Sequence, residues 1–259
     1  MNRLDKLFSK KHSDILSVYF TAGFPTLDST GEIISRLVCN GVDMIEVGLP
    51  FSDPMADGPT IQQSSTAALR NGMTLSLLLA QVEEARKDAG DTPLVLMGYL
   101  NPMMQYGIER LLRRCKEVGI DALIIPDLPF DEYMRDFKPL CDELDLPIIM
   151  LITPETEPER IRLIDDNCSG FIYMVSAAAT TGTRDRFNDE QLEYFRRVAS
   201  MDLKHPRLIG FGISNPLTLR QACDNSAGAI IGSLFIKCLE KESDIQAAVT
   251  KLIKTVTAD

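Results

Sequence analysis

Histidine is scarce in this 259-residue chain, which contains only His12 and His205. They stand far apart and outside the C-terminal ends of the predicted strands, so neither a histidine-based metal site nor a Ser-His-Asp triad is expected. The 6 cysteines are widely spaced and form no CxxC pair, which favours reduced thiols. We therefore expect a cytoplasmic protein without a bound metal.

Long apolar runs and basic clusters are also absent. No apolar run approaches the ~18 residues of a membrane span, and the N-terminal segment MNRLDKLFSKKH is too polar for a signal peptide. Lys and Arg number 27 against 37 Asp and Glu, giving a net charge of −10. Nucleic acid and anionic membranes are therefore poor partners. Backbone amides would have to do most of the work of binding any anion.

Signatures of nucleotide binding and Schiff-base chemistry are missing as well. Neither GxGxxG nor the Walker pattern occurs, so a bound dinucleotide or ATP has no support. No lysine falls at the C-terminal end of a predicted strand, because Lys237 lies inside a predicted helix. A Schiff-base aldolase would thus lack its nucleophile. Carboxylate acid–base chemistry without a metal or cofactor is what remains.

Short apolar runs alternate with amphipathic stretches along the chain. The predicted strands are 15–20, 43–48, 94–98, 121–126, 147–151, 170–175, 207–211 and 228–232. Helical patterns fall at 4–10, 27–40, 76–88, 108–119, 131–144, 158–167, 189–200, 216–224 and 243–256, with a short helix after Ser233. This alternation predicts an α/β fold, a single-domain (β/α)8 TIM barrel over residues 1–259 with an extra N-terminal helix. A doubly wound open sheet is the alternative.

One acidic residue interrupts an apolar strand. In DMIEVG (43–48), Ile45 and Val47 suit the outer helix layer, so Glu46 should face the barrel interior. It would lie near the C-terminal end of strand 2, where enzymes of this fold carry their active sites. Desolvation there would raise its pKa and suit general acid–base work. A buried acid satisfied by a neighbouring hydroxyl or amide explains Glu46 equally well.

Further candidates surround this position. Strand alternation also sends Tyr173 inward on strand 6, although such a tyrosine is more often a core residue. Asp53 and Asp57 follow strand 2 in SDPMADGP, and by themselves they are most often turn residues.

Glycine-rich segments follow the last three strands. They are ATTGTR (179–184), GFGISNP (210–216) and GSLFIK (232–237). Ser214 or Asn215 can cap a helix that has Pro216 at its first position. Free backbone N–H groups and helix dipoles at such ends bind anions, and phosphate sites recur at the loops after strands 7 and 8 of this fold. We therefore expect a phosphorylated substrate with an apolar end.

Several of these segments together carry a family resemblance. They are IEVGLPFSDPMADGPTIQ (45–62), FTAGFP (20–25), PDLPFDE (126–132), TTG (180–182) and GFGIS (210–214). In this order, over nearly the whole chain, they resemble the tryptophan synthase α-subunit family. The SDPMADGPT run is specific to that family among phosphate-binding barrels.

The resemblance implies a reaction and its main residues. The reaction is retro-aldol cleavage of indole-3-glycerol phosphate to indole and glyceraldehyde 3-phosphate, a lyase step of tryptophan biosynthesis. Glu46 matches the general acid–base, Asp57 the second catalytic carboxylate, and Tyr173 a tyrosine near the substrate. Mobile loops after strands 2 and 6 are implied. At Ala177 the chain departs from many members, which have arginine or a bulkier residue there, and this leaves the details of loop closure open.

The resemblance also assigns binding roles. Phe20 and Phe211 match residues that pack the indole, and Thr181 matches the loop threonine that closes the site over Asp57. The phosphate binders are matched by Gly182, Gly212, Gly232 and Ser233. Pro50 and Asp53 match residues that face the β subunit in an α2β2 complex. That subunit is expected to carry pyridoxal phosphate, and no cofactor is expected in this chain.

Two other functions compete with the lyase. A phosphosugar isomerase on the same barrel would also use paired carboxylates, but it would turn over an aminoaldose phosphate and release no indole. A catalytically silent α-like subunit would only activate or cap a partner. Such a subunit would not need Glu46, Asp57 and Tyr173 together.

Overall fold

The computed structural model of this chain describes residues 2–176 and 186–258. Within them, eight parallel strands pair in chain order and the last pairs with the first, closing a barrel. The strands are β1 (Ile15–Thr21), β2 (Met44–Gly48), β3 (Leu94–Met97), β4 (Ala122–Ile124), β5 (Ile148–Ile152), β6 (Ile172–Val175), β7 (Arg207–Gly210) and β8 (Gly228–Ile231). Each predicted strand is confirmed within two residues, and closure through β1 and β8 excludes the open sheet.

Helices follow the strands and pack against one another around the barrel, α2 against α4, α4 against α6 and α6 against α8. They are α1 (Arg3–Lys10), α2 (Ser29–Cys39), α3 (Pro59–Arg70), α4 (Leu75–Ala85), α5 (Leu100–Tyr106), α6 (Ile108–Val118), α7 (Phe130–Glu132), α8 (Lys138–Leu144), α9 (Pro158–Asn167), α10 (Asp189–Ala199), α11 (Pro216–Cys223), α12 (Ser233–Lys241) and α13 (Ile245–Thr257). Among the residues described, no helix is long and apolar enough to cross a membrane.

The structure adds two helices to the predicted set and interrupts a third. Helices α3 and α5 were not predicted, because PTIQQSSTAALR is polar with weak periodicity and α5 has only 7 residues. The predicted helix 131–144 is broken by a π-helical segment, Tyr133–Phe137. Pro139 explains the break, since a proline lacks the N–H of a regular helix and its ring crowds the preceding turn.

The N-terminal helix α1 lies at the amino-terminal end of the strands. The side-chain amide of Asn2 donates to the backbone oxygen of Asp121 over 2.7 Å, and Arg3 pairs with the Asp121 carboxylate at 3.0 Å. Leu4 is fully buried. The helix therefore caps the end of the barrel opposite to the carboxyl ends of the strands, which we call the mouth.

Candidate active site

Glu46 is fully buried in β2, next to Tyr19 of β1 in the strand register. The hydroxyl of Ser17 donates to Glu46 Oε1 over 3.1 Å, while Oε2 has no hydrogen-bond partner in the described part of the chain. Burial raises the pKa of Glu46 to about 8, and the Ser17 hydrogen bond works in the opposite direction. The carboxyl is therefore mostly protonated at neutral pH, with one oxygen left for another partner.

Two tyrosines line the barrel interior beside Glu46. The hydroxyl of Tyr19 lies against Gly48 of the neighbouring strand, and that of Tyr173 lies against Gly210 in the same manner. A Cβ atom at either glycine would clash with the tyrosine ring. Both rings are buried, 9% and 3% exposed. Because Gly48 and Gly210 have no side chain, each tyrosine ring can lie directly over the adjacent strand.

Asp57 is held by Tyr99, which begins the connection after β3. The Tyr99 hydroxyl donates to Asp57 Oδ2 over 2.9 Å and accepts from the backbone N–H of Ala56, also over 2.9 Å. The rings of Phe51 and Tyr99 lie 5.3 Å apart. Desolvation raises the pKa of Asp57, and the hydrogen bond from Tyr99 lowers it. Tyr99 thus anchors the segment that carries Asp57 and favours the ionised carboxylate.

The two carboxylates act on the same tyrosine. Burial raises the pKa of Tyr173, and the negative charges of Glu46 and Asp57 raise it further. Electrostatic influence of this kind requires proximity in a poorly screened interior. The fold therefore turns Glu46, Asp57 and Tyr173, which lie far apart in the sequence, toward one interior in which their charges interact.

The end of β7 turns sharply into the mouth. Phe211 and Gly212 both have left-handed backbone conformations, with φ of 70° and 81°. The Ser176 hydroxyl donates to the Phe211 backbone oxygen over 2.8 Å, and the Phe211 ring meets the Tyr173 ring edge-on at 6.3 Å. A positive φ is costly for phenylalanine and is tolerated where surrounding contacts enforce it. Phe211 thus stands beside the catalytic candidates.

Two helices begin at the mouth where the phosphate site is predicted. Helix α12 starts at Ser233 directly after β8, with Gly232 preceding it against the Tyr19 ring. Helix α11 starts at Pro216, and its cap is Asn215, whose side chain accepts from the backbone N–H of Thr218 over 2.9 Å. Helix starts present backbone N–H groups and the positive end of the dipole. This part of the mouth is chemically suited to an anion.

Other predicted site residues have mixed positions. Phe20 is fully buried and follows Tyr19, so strand alternation puts the two on opposite faces of β1. Phe20 therefore faces the helix layer and not the interior beside Glu46, which corrects its expected contact with the indole. Pro50 is buried, whereas Asp53 is exposed. Thr181, Gly182 and Ala177 lie outside the described residues. The phosphate and loop roles and the partner contacts stay predictions.

Sequence reasoning missed three polar contacts at the mouth, those of Ser17, Tyr99 and Ser176. A signal existed for Ser17, because it is two residues before Tyr19 and so shares the interior face of β1. Asking which hydroxyl of a neighbouring strand shares the interior with Glu46 would have found it. Strand alternation also predicts Tyr99 at the mouth, just past strand 3, but its partner and that of Ser176 follow from how loops fold over the mouth.

The two histidines lie outside the carboxyl ends of the strands, as expected, because His12 follows α1 and His205 precedes β7. His12 and His205 both line one cavity near the start of β7, well away from the mouth. Across residues 2–176 and 186–258, no group of three or more His, Cys, Asp or Glu side chains is arranged to hold a metal.

Several known proteins similar to this chain are tryptophan synthase alpha chains. The family model described as tryptophan synthase alpha chain matches residues 6–258. Tryptophan synthase alpha chains from Phocaeicola vulgatus and Parabacteroides distasonis are 56% and 54% identical, with 99% of each chain covered in both comparisons. The crystal structure of tryptophan synthase subunit alpha from Legionella pneumophila is 33% identical with a TM-score of 0.88, covering 99% of this chain and 97% of that one.

Fold and site together define a (β/α)8-barrel enzyme with an acidic, largely apolar mouth. Within that class, the chain is more than 50% identical to tryptophan synthase alpha chains over nearly its full length. The chain belongs to the tryptophan synthase alpha chain family.

Proposed function

We propose that this chain is the α-type lyase that cleaves indole-3-glycerol phosphate to indole and glyceraldehyde 3-phosphate. Membership of the family supports the reaction. The observation that carries the chemistry is the buried Glu46 with a pKa near 8. A general acid–base is most effective when its pKa lies near the working pH.

Glu46 serves the proposed reaction twice. Protonated at neutral pH, it donates its proton to indole C3 and so creates an indolenine cation. The resulting carboxylate then takes the proton from the hydroxyl on the adjacent glycerol carbon. That electron pair forms the aldehyde carbonyl while the carbon–carbon bond breaks and its electrons return to the indole ring. Glu46 ends the cycle protonated, as it began.

Asp57 stabilises the cation in this proposal. An ionised carboxylate near the ring N–H offsets the positive charge that develops after C3 protonation. The Tyr99 hydrogen bond supports this role because it lowers the pKa of Asp57 against the effect of desolvation. Tyr173 faces the same interior and feels the charge of both carboxylates, and we assign it to orienting the substrate over Glu46.

The remaining binding roles follow from the geometry of the mouth. Gly212, Gly232 and Ser233, with Gly182, would hold the phosphate through backbone N–H groups and the start of α12. Phe211, with its ring against Tyr173, would pack the indole, and Thr181 would close the site over Asp57. The whole chain, residues 1–259, would act as one domain.

Mixing the purified chain with indole-3-glycerol phosphate and measuring indole tests the proposal. We expect indole and glyceraldehyde 3-phosphate in equal amounts. Asp57→Asn should lose at least ~10²-fold in rate, while the control Asp53→Asn, on the same loop but exposed, should keep it. No indole release by the wild-type chain, alone or with a β chain, would exclude the lyase and leave the isomerase or the silent subunit.

We also propose that the mouth docks a tryptophan synthase β chain in an α2β2 complex in the cytoplasm. Two large apolar side chains are exposed near the mouth, Met55 at 76% in the loop after β2 and Met104 at 58% in α5. Exposed methionines of this kind suit a partner surface. Asp53 adds a charge to the same region. The partner would carry pyridoxal phosphate, and this chain none.

Analytical ultracentrifugation with a purified β chain tests the docking surface. Met104→Glu should weaken the complex at least about tenfold, since a charge would be buried against apolar surface. Leu163→Glu is the matched control, because Leu163 is 43% exposed on α9, away from the mouth. Equal effects of the two substitutions would contradict this surface.

A further inference from the structure

Ser176, the first residue after β6, uses each of its polar groups within the described part of the chain. Its backbone N–H donates to the Gly210 oxygen over 3.2 Å, and its hydroxyl donates to the Phe211 oxygen over 2.8 Å. Its backbone oxygen accepts from Gln191 Nε2 over 2.9 Å. The residue is buried, with 2% of its surface exposed. Ser176 thus joins the end of β6 to the end of β7 and to the start of α10.

The hydroxyl of Ser176 acts on the peptide group between Phe211 and Gly212. Both residues have left-handed backbone conformations, with φ of 70° and 81°, and this conformation is costly for phenylalanine. A peptide group is planar and trans, so its C=O and its N–H point in opposite directions. The bond from Ser176 to the Phe211 oxygen therefore also fixes the direction of the Gly212 N–H.

Packing holds the same turn from the side. A Cβ atom at Gly212 would lie 3.4 Å from the Phe187 ring and 3.7 Å from the Ser176 hydroxyl. Phe187 is itself held, because its ring packs edge-on against Phe195 at 5.1 Å and its backbone N–H donates to Gln221 Oε1 over 3.2 Å. Such contacts fix the position of the turn, whereas a directional hydrogen bond fixes the rotation of its peptide group.

The Phe211 ring depends less on this hydrogen bond. It meets the Tyr173 ring at 6.3 Å, and rotation of the peptide group after Phe211 leaves the Cα–Cβ bond of that residue in place. Loss of the Ser176 hydroxyl would therefore turn the Gly212 N–H and disturb the Phe211 ring little. The phosphate end of the proposed site should respond to Ser176, and the indole end should not.

We propose that Ser176 is a positioning residue for the phosphate group of the substrate. Its hydroxyl holds the peptide group between Phe211 and Gly212 so that the Gly212 N–H points at a phosphate oxygen. A well-aligned donor makes a strong hydrogen bond to a charged acceptor. Gln191 keeps Ser176 in place through the backbone oxygen of Ser176. This inference rests on the proposed function, because it requires the phosphate of indole-3-glycerol phosphate to lie at this turn.

Steady-state kinetics of indole release test the role of the hydroxyl. Ser176→Ala should raise KM about tenfold and leave kcat and its pH profile unchanged, because Glu46 and Asp57 keep their partners. Ser176→Thr retains the hydroxyl and should bring KM back toward the wild-type value. Ser226→Ala is the matched control, because the Ser226 hydroxyl donates to the Gly228 backbone oxygen over 2.8 Å at the opposite end of the barrel. It should lose stability but keep KM.

Titration calorimetry with inorganic phosphate and, separately, with indole gives a readout that needs no turnover. Phosphate affinity should fall about tenfold in Ser176→Ala, and indole affinity should not change. The same result in a chain that releases no indole would refute the lyase and still confirm that Ser176 positions the turn for a phosphate. Wild-type KM and phosphate affinity in folded Ser176→Ala, or equal losses for phosphate and indole, would overturn the inference and leave the lyase standing. A wild-type chain that neither binds phosphate nor releases indole would overturn both.

Gln191 supplies a second variant should Ser176→Ala fail to fold. Gln191→Leu removes the amide that donates to the Ser176 oxygen and should raise KM roughly threefold or more. Gln191 also completes the cap of α10, since its Oε1 accepts from the Asn188 N–H over 3.0 Å. Asn188→Ala removes that cap from the other side and leaves the bond to Ser176, so it should keep the wild-type KM. Equal KM values in these two variants would overturn the inference.

Discussion

Glu46 should make the free energy of unfolding fall as pH rises. The folded chain holds this proton with a pKa of about 8 against an ordinary 4.5, so the unfolded chain releases it first. The contribution of Glu46 to the free energy of unfolding is therefore at its maximum below about pH 4.5 and is lost as the pH rises through 8. The difference corresponds to on the order of 5 kcal/mol at its limit. Relaxation of the interior and water entry would reduce that figure.

Urea unfolding at several values between about pH 5 and about pH 9 measures this effect. Glu46→Gln cannot ionise, so its stability relative to wild type should increase by several kcal/mol across that range, roughly 2–5. Glu84→Gln is the control, because Glu84 is exposed and should parallel wild type. A constant offset would be expected from the new amide at Oε2, so the slope with pH is what counts.

Ser17 gives the same experiment a second arm. Its hydroxyl supplies the hydrogen bond that lowers the pKa of Glu46 in the folded chain, so Ser17→Ala should leave the start of the stability loss near pH 4.5 and move its upper end to higher pH. Wild type and Glu46→Gln showing parallel stability from acid to alkaline pH would refute the argument. Such a result would mean that Glu46 titrates as an ordinary exposed acid.

Two further substitutions test the mouth. Tyr99→Phe removes the hydrogen bond that lowers the pKa of Asp57. The rate of indole release should fall about tenfold near neutral pH, and the acidic limb of its pH profile should move to higher pH. An unchanged profile would contradict the anchoring role of Tyr99. The Cβ of Gly48→Ala would collide with the Tyr19 ring, whereas a Cβ at Gly31 of α2 meets open space. In chemical unfolding, Gly48→Ala should lower the free energy of unfolding by about 1–3 kcal/mol, and Gly31→Ala should raise it by up to about 1 kcal/mol. Equal changes in the two variants would contradict the ring packing.

The barrel was predictable because the chain alternates local patterns that carry their own periodicity. Strand alternation was also enough to predict that Glu46 is buried. Its neighbours Ile45 and Val47 share the face that packs on the helices, so Glu46 must point to the barrel interior. The helix Pro59–Arg70 was missed because its polar sequence lacks an apolar stripe. It is held by tertiary packing, with Ile61 buried, which no local pattern reveals.

The finer parts of the site depend on contacts between distant residues. The bond from Tyr99 to Asp57 spans 42 positions, and the one from Ser17 to Glu46 spans 29. Neither follows from local propensity, because each is fixed by how loops and strands meet after the barrel closes. His205 illustrates the same limit, since its contact with Asp165 spans 40 positions.

The central claim is that the buried carboxyl of Glu46 moves the proton in cleavage of indole-3-glycerol phosphate. Steady-state indole release by the purified wild-type chain, Glu46→Gln and Glu84→Gln, each checked for folding, tests it most directly. We predict that kcat falls at least ~10²-fold in Glu46→Gln, with KM little changed because the phosphate site is separate, and that Glu84→Gln matches wild type. Wild-type kcat in folded Glu46→Gln would contradict the claim.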